Sequence, residues 1–66
     1  MVVDKFGIEI KKGQYVWVHQ DEKIRKAIVI EPFPNHPTEN EPGHWVDINI
    51  NGNGIEGMMS YILEVI

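Results

Sequence analysis

Apolar residues recur at every second position through much of this 66-residue chain. The clearest runs are formed by Val16 and Val18, and by Val46, Ile48 and Ile50. A period of two places alternate side chains on opposite faces of a β-strand, so each run predicts a half-buried strand. No stretch keeps the spacing of an amphipathic helix for more than about two turns. The pattern therefore predicts an all-β domain.

Further strands are predicted before and between these runs. Ile8 and Ile10 alternate with polar residues and predict a short half-buried strand. A longer strand is predicted over residues 24–31, and its apolar face carries Ile24, Ile28 and Ile30.

Glycine and asparagine mark the predicted turns. Lys12-Gly13 precedes the first valine run, and Asn-Gly-Asn-Gly occupies residues 51–54. Both residue types accept positive φ, and Asn-Gly favours a tight hairpin. Residues 55–59 then form the predicted return strand, and residues 60–66 predict a short helical turn that leads into a terminal strand.

All four prolines lie in residues 32–43. Proline has no amide donor and is excluded from the interior of a central strand, so this segment predicts one long loop. Five to six short antiparallel strands in a chain of this length predict one domain, residues 1–66. A small closed or partly closed barrel protects the edges that a flat sheet exposes, and it is the predicted architecture.

Three segments resemble the SH3-like small β-barrels, including their KOW-type members. Residues 12–18 are similar to the opening of such barrels, with a glycine, a polar residue and alternating valines. Residues 27–30 are similar to their third strand, and residues 60–66 to their short 3₁₀ turn and last strand. Residues 4–10 also resemble short uncharacterised bacterial or phage proteins. The SH3-like resemblance implies aromatic side chains in a shallow groove between loops.

Side chains suited to catalysis are scarce. The chain has no cysteine, one serine (Ser60) and one threonine (Thr38), and it has no glycine-rich phosphate loop. The histidines His19, His36 and His44 are not closely paired in sequence. We therefore expect no enzymatic activity, no cofactor and no metal site. Absence of cysteine fits a reducing compartment, and no apolar run approaches the roughly 20 residues of a membrane span, so a cytoplasmic protein is expected.

The aromatic residues are the strongest candidates for function. Strand parity turns Tyr15 and Trp17 away from the predicted core, and likewise Trp45. Exposed aromatic patches often mark binding sites. The predicted protein-binding residues are Tyr15, Trp17, Phe33 and Trp45. They predict a non-enzymatic module that binds another protein through an aromatic surface next to the Pro-rich loop. Alternatively, Phe33 and the prolines fold back and cover Trp17 and Trp45.

The basic residues support a second hypothesis. All six precede position 27, while the whole chain carries a net charge of −4. A KOW-like nucleic-acid-binding domain would use a cluster of Lys11, Lys12, Lys23, Arg25 and Lys26 at one end. The acidic balance disfavours this alternative, because neutralising phosphate supplies most non-specific affinity.

Two further possibilities concern the partner. The acidic residues predict, at lower rank, a decoy for a basic partner; they are Glu31, Glu39, Glu41, Asp47 and Glu56. A homodimer is also possible, because a domain with a thin core is stabilised by a partner.

Overall fold

The computed structural model describes residues 1–39 and 43–66. Within them the elements in chain order are β1 (Tyr15–Gln20), β2 (Lys23–Pro37), β3 (His44–Ile50), β4 (Ile55–Met59), the 3₁₀ helix η1 (Ser60–Ile62) and β5 (Leu63–Val65). All five strands pair antiparallel in one sheet, in the order β4-β3-β2-β1-β5. The all-β prediction is confirmed, and so is the short helical turn before the last strand.

The sheet is not closed into a barrel, which corrects the predicted architecture. Strands β4 and β5 form its two edges. The free side of β5 is occupied by the N-terminal segment, where the Lys5 amide donates to the Leu63 carbonyl at 2.9 Å. Because that side is already bonded, β5 cannot also accept β4, and the sheet stays open.

The alternating residues of β1 and β3 form the centre of the core, which Val2, Ile10, Ala27, Val29, Met58 and Leu63 complete. Val16, Val18, Val46, Ile48 and Ile50 are all almost completely buried, as their spacing predicts. Burying each such side chain contributes about 1.5–3 kcal/mol, so these positions carry much of the stability of a small domain.

The predicted apolar face of β2 is wrong. Ala27 and Val29 are buried, whereas Ile24 is exposed and Ile28 and Ile30 are half-buried. The ladder explains the difference, because Ala27 and Val29 lie directly opposite core residues of the neighbouring strands. Residues directly opposite each other share a face of the sheet. The register set by β1 and β3 therefore decides which side of β2 is buried.

The proline-rich segment is also not one long loop, since β2 continues to Pro37. Pro32 lies opposite Val46 and Pro37 opposite His44, with a register shift between the two pairs. Pairing of β2 with β1 ends at Ile28, so this half of β2 is a sheet margin with a bulge. Proline is tolerated there because no ladder bond to β1 is required. Residues 40–42 of the predicted loop lie outside the described residues.

The N-terminal segment forms a closed turn in place of the predicted half-buried strand. Ile10 is buried, but Ile8 is exposed, and one isolated bridge joins Val3 to Glu9. The cause is Asp4, whose amide donates to the Ile8 carbonyl at 2.8 Å and whose carboxylate accepts the Ile8 amide at 2.8 Å. These bonds curl residues 4–8 into a loop and turn the Ile8 side chain toward solvent.

Asp4 is a buried carboxylate that joins the two ends of the chain. Its Oδ1 accepts the Phe6 and Ile8 amides, and its Oδ2 accepts the Val65 amide of β5, each at 2.8 Å. Carboxylates of this kind form stronger hydrogen bonds than neutral acceptors. Asp4 therefore holds the N-terminal segment against the β5 edge.

Two hairpin turns place residues in the left-handed region. The predicted turn after β3 is confirmed, with Asn51 at φ 52° and Gly52 at φ 75°. The turn between β1 and β2 instead uses Asp21 at φ 53° and Glu22 at φ 61°. Left-handed backbone is costly for most residues other than glycine, so this second turn stores strain.

Candidate functional site

The face of the sheet opposite the core carries exposed apolar side chains. Strand parity is confirmed for the aromatic residues Tyr15, Trp17 and Trp45, all of which are exposed. Ile55 and Ile66 on the two edges are also exposed. We call this side of the sheet the outer face.

One row of residues crosses four strands on the outer face and ends at Ile66, directly after β5. Tyr15 lies opposite Ile28, which lies opposite Asn49, which lies opposite Ile55. The Ile66 amide donates to the Tyr15 carbonyl at 3.2 Å, which places Ile66 at the other end of the row. Side chains directly opposite each other are separated by about 4.5–5.5 Å between Cβ atoms. These five residues are the outer row.

The ends and the middle of the outer row differ in exposure. Tyr15 is 54% exposed, Ile55 63% and Ile66 59%, while Ile28 and Asn49 are half-buried. Of the outer row, Tyr15 was predicted from the sequence, Ile28 was predicted on the buried face instead, and Asn49, Ile55 and Ile66 were missed. Their common feature is the ladder register, which the residue pattern alone does not provide.

A groove of about 410 Å³ lies in the middle of the row. It is lined by Tyr15, Lys26 and Ile28 on one side, and by Asn49, Asn51 and Gly52 near the β3–β4 turn on the other. Lys26 Nζ lies 4.8 Å from the centroid of the Tyr15 ring. This cation–π contact orients the ring beside the groove. We call this feature the Tyr15 groove.

Asn49 gives the Tyr15 groove an unpaired acceptor. Its side-chain oxygen is buried and has no hydrogen-bond partner among residues 1–39 and 43–66. A buried polar atom left unpaired costs about 1–3 kcal/mol, so a donor that reaches it gains that energy. The groove therefore combines the apolar surface of Tyr15 and Ile28 with polar side chains, Asn49 among them, that can fix the orientation of a ligand, as polar groups in small binding sites generally do.

Trp17 lies in the neighbouring row between charged side chains. It is opposite Lys26 on β2 and Glu64 on β5. Glu64 is itself held by His19, with 2.8 Å between His19 Nε2 and Glu64 Oε1. Trp17 is therefore the least exposed of the three outer aromatic residues, at 36%.

Trp45 lines a different groove, of about 340 Å³, together with Pro37, Glu39, Met59 and Tyr61. We call it the Trp45 groove. Trp45 precedes Asn49 by four residues on β3, which corresponds to about 13 Å along a strand. The predicted aromatic residues therefore do not form one surface within a single chain.

Phe33 is half-buried in the bulge of β2. Its ring meets the His36 ring edge to face, with 5.6 Å between centroids. The predicted cover over both tryptophans is wrong for Trp17 and Trp45 alike, since both are exposed. Of the proline-rich segment, Pro37 lies beside Trp45 without burying it.

The basic residues do not cluster at one end, which corrects that expectation. Lys11 and Lys12 precede β1, whereas Lys23 follows it, opposite Gln20. Six residues of β1 separate the two groups by about 20 Å. Lys11 also pairs with Glu9 at 3.9 Å, and Lys12 with Glu31 at 3.8 Å.

The remaining predicted basic residues have different surroundings. Arg25 donates from Nη2 to Gln20 Oε1 at 2.9 Å, and Lys26 lies over Tyr15. Of the predicted basic set, Lys26 alone lines the Tyr15 groove.

The acidic residues are likewise dispersed. Glu31 and Asp47 lie opposite each other on β2 and β3, Glu56 is exposed on β4, and Glu39 lines the Trp45 groove. Glu41 lies outside the described residues.

Residues that elsewhere support metal binding or catalysis have structural contacts here. Within residues 1–39 and 43–66, no three histidine or carboxylate side chains come together in a way that could hold a metal ion. Ser60 is buried, and its hydroxyl accepts the His44 amide at 2.9 Å. In the same part of the chain, no helix has the length and apolar character needed to cross a membrane.

Comparisons of the chain with protein-family models, with curated proteins and with solved structures find no match. The candidate site is therefore argued from its own residues. The outer row and the Tyr15 groove are the features that best combine exposure, apolar surface and an unpaired polar group.

Proposed function

We propose that this domain is a non-enzymatic interaction module that binds another protein at the Tyr15 groove. The observation that carries the proposal is the outer row itself. It exposes Tyr15, Ile55 and Ile66 across the whole sheet, and it includes a buried Asn49 oxygen with no partner in the described part of the chain. Exposed apolar surface with a converging polar group is typical of binding sites.

The fold supports a relationship to the SH3-like small barrels within this proposal. Residues 60–66 resemble the end of such domains, and they form a 3₁₀ helix followed by β5. The sheet has the strand order β4-β3-β2-β1-β5, which also supports the proposed relationship. SH3-like domains commonly present aromatic side chains in a shallow groove, and Tyr15 would have that role here.

The chemistry of the groove suggests an extended protein segment as ligand. An apolar side chain of the ligand packs against Tyr15 and Ile28 within the groove, while a ligand N–H donates to the Asn49 side chain. Tyrosine often dominates such interfaces because it buries a large area with few rotatable bonds. We therefore expect Tyr15 to contribute most of the binding energy.

The test compares partner capture by the intact domain and by the Tyr15→Ala variant. A partner retained by the intact domain is purified and its dissociation constant measured by calorimetry. Loss of a dominant tyrosine costs about 2 kcal/mol or more, so affinity should fall about thirtyfold or more. The matched control is Phe6→Ala, because Phe6 is similarly exposed at 65% but lies outside the outer row.

Two results would refute the proposal. One is unchanged affinity in Tyr15→Ala, and the other is an equal loss in Phe6→Ala. Thermal unfolding of both variants shows whether the fold is intact. If Tyr15→Ala is unfolded, Asn49→Leu takes its place, because it removes the acceptor from a half-buried position and keeps a similar volume.

The same domain is titrated with single-stranded RNA at low salt. We expect no binding, because the basic residues are dispersed and two of them, Lys11 and Lys12, pair with carboxylates. RNA binding that weakens steeply with added salt would favour the nucleic-acid alternative. A basic protein partner whose affinity falls with salt, in the absence of RNA binding, would favour the acidic decoy.

A further inference from the structure

The two edge strands of the sheet, β5 and β4, differ in whether their free side is hydrogen-bonded. The free side of β5 is occupied, because the Leu63 carbonyl accepts the Lys5 amide and the Val65 amide donates to Asp4. On the other edge, β3 is the one strand that pairs with β4 in residues 1–39 and 43–66. An uncovered edge presents backbone donors and acceptors to another strand.

Strand β4 carries only two of the devices that usually protect an edge: it is five residues long, and its charged Glu56 lies opposite the core residue Ile48. Its residues are Ile-Glu-Gly-Met-Met, with no lysine and no proline. Its register with β3 is continuous from Asn49 to Trp45, without a bulge. Natural edge strands commonly carry lysine, proline or a bulge that discourages pairing. Apart from Glu56, the sequence of β4 therefore leaves its edge open to pairing with another strand.

Gly57 occupies the centre of β4, opposite Asp47 of β3. Its φ is not in the left-handed region, and an added Cβ would come no nearer than 3.7 Å to Asp47 Oδ1. Neither backbone strain nor crowding in the described chain therefore requires glycine at this position. Glycine inside a strand often marks a place where another backbone approaches.

We propose that β4 pairs with β4 of a second copy of this chain. The two strands run antiparallel about a two-fold axis at Gly57, and they join the two sheets into one sheet of ten strands. The inference rests on the β4 edge and is independent of any ligand at the Tyr15 groove.

The strand is self-complementary in this register. Ile55 lies opposite Met59 of the second copy, Glu56 opposite Met58, and Gly57 opposite Gly57. The outward side chains Ile55 and Met59 thus form two apolar pairs, and neither glutamate faces the other. Apolar cross-strand pairs stabilise a sheet, whereas like charges directly opposite destabilise it.

The assembly stops at two copies. Head-to-tail growth would require β4 of one copy to pair with β5 of the next. Asp4 and Lys5 already bond β5 on that side. An isologous contact uses the same patch on both copies and closes on itself.

Dimerisation would also bring together two surface features that lie apart in a single chain, the outer row and the Trp45 groove. Ile55 ends the outer row, and in the proposed register its neighbour is Met59 of the second copy. Met59 lies opposite Trp45 in its own sheet. The outer row of one copy therefore continues into the Trp45 groove of the other, and Tyr15 and Trp45 become parts of one surface.

The test is analytical ultracentrifugation of the full chain over a range of concentrations. We expect a reversible increase from the 7.6 kDa monomer to twice that mass. Gly57→Glu places two carboxylates opposite each other at the axis and should raise the dimer dissociation constant about fivefold. Mixing Gly57→Glu with Gly57→Lys should restore a one-to-one heterodimer, since opposite charges then meet.

The matched control is Ile24→Lys, which changes an equally exposed isoleucine (62%, against 63% for Ile55) on a strand away from the β4 edge. It should leave the dimer unchanged. If Gly57→Glu is unfolded by circular dichroism, Ile55→Lys replaces it as the disrupting variant. A dissociation constant of 1 mM corresponds to a binding free energy of only about −4 kcal/mol. A protein that stays monomeric at all concentrations up to about 1 mM would therefore overturn the inference. So would a dimer that both β4 variants leave intact, or one that Ile24→Lys disrupts.

Discussion

Replacing Asp4 with alanine should strongly destabilise the domain. The change removes three hydrogen bonds of 2.8 Å, to the amides of Phe6, Ile8 and Val65. Each bond to a charged acceptor contributes about 1.5–3 kcal/mol, but exposed amides recover part of that energy from water. Phe6 and Ile8 are exposed, whereas Val65 is partly buried, so we expect a net loss of about 3 kcal/mol.

That loss is large for a chain of 66 residues. Domains have about 0.05–0.15 kcal/mol of stability per residue, which corresponds to roughly 3–10 kcal/mol here. In domains of this size, 1 kcal/mol shifts the unfolding temperature by about 4–8 °C. Asp4→Ala should therefore lower the midpoint by about 12–24 °C, measured by circular dichroism or calorimetry.

Two further variants distinguish the effect of losing the buried carboxylate from the effect of losing a negative charge in the N-terminal segment. Asp4→Asn keeps one oxygen and should lose about half as much stability, since an amide has one acceptor where the carboxylate has two. Glu9→Ala removes an exposed carboxylate that pairs with Lys11 at 3.9 Å and should change stability by no more than about 1 kcal/mol. A midpoint shift below about 4 °C for Asp4→Ala, or a shift equal to that of Glu9→Ala, would refute the reasoning.

Three other substitutions follow from the backbone and the core. Glu22→Gly should stabilise the domain by about 1 kcal/mol, because glycine relieves a left-handed residue at φ 61°; an unchanged melting temperature would contradict this. Gly52→Ala, at φ 75°, should destabilise by about 1 kcal/mol in the same assay, although an added Cβ has open space. Ile48→Ala should cost about 3 kcal/mol in urea unfolding, because Ile48 is completely buried; a loss below about 1 kcal/mol would show that it is not a core residue.

Strand parity is predictable from sequence where apolar and polar residues alternate cleanly. It worked for β1 and β3, where valines and isoleucines lie between polar or aromatic residues. It failed for β2, because Ile28, Val29 and Ile30 are consecutive, so both faces of the strand carry apolar residues. The register decided which side is buried, because Ala27 lies opposite core residues of both β1 and β3, and Val29 lies opposite the core residue Ile48 of β3.

Long-range contacts explain the other differences. A proline disfavours a strand through its missing amide donor, but Pro32 and Pro37 lie where β1 no longer pairs with β2. Asp4 is unremarkable in sequence, since its partner Val65 is 61 residues away. The structure at Pro32, Pro37 and Asp4 therefore depends on which strands become neighbours, and local sequence does not reveal this.

The candidate site was predictable only in part. Strand parity alone places Tyr15 outside the core, because its neighbour Val16 is buried and successive side chains point to opposite faces. Grouping Tyr15 with Asn49 and Ile55 needs the registers of three strand pairs. The basic residues were grouped because they lie close together in sequence. In the structure the length of β1 separates them into two groups.

The accessibility of Tyr15 in solution tests the proposed function most directly. A soluble paramagnetic probe broadens the NMR signals of exposed rings, and the measurement is made on the intact domain with and without its purified partner. We predict strong broadening of Tyr15 and Phe6 in the free domain, and loss of broadening at Tyr15 alone when the partner is bound. A Tyr15 ring that is protected in the free domain, or that stays equally accessible in the complex, would contradict the account.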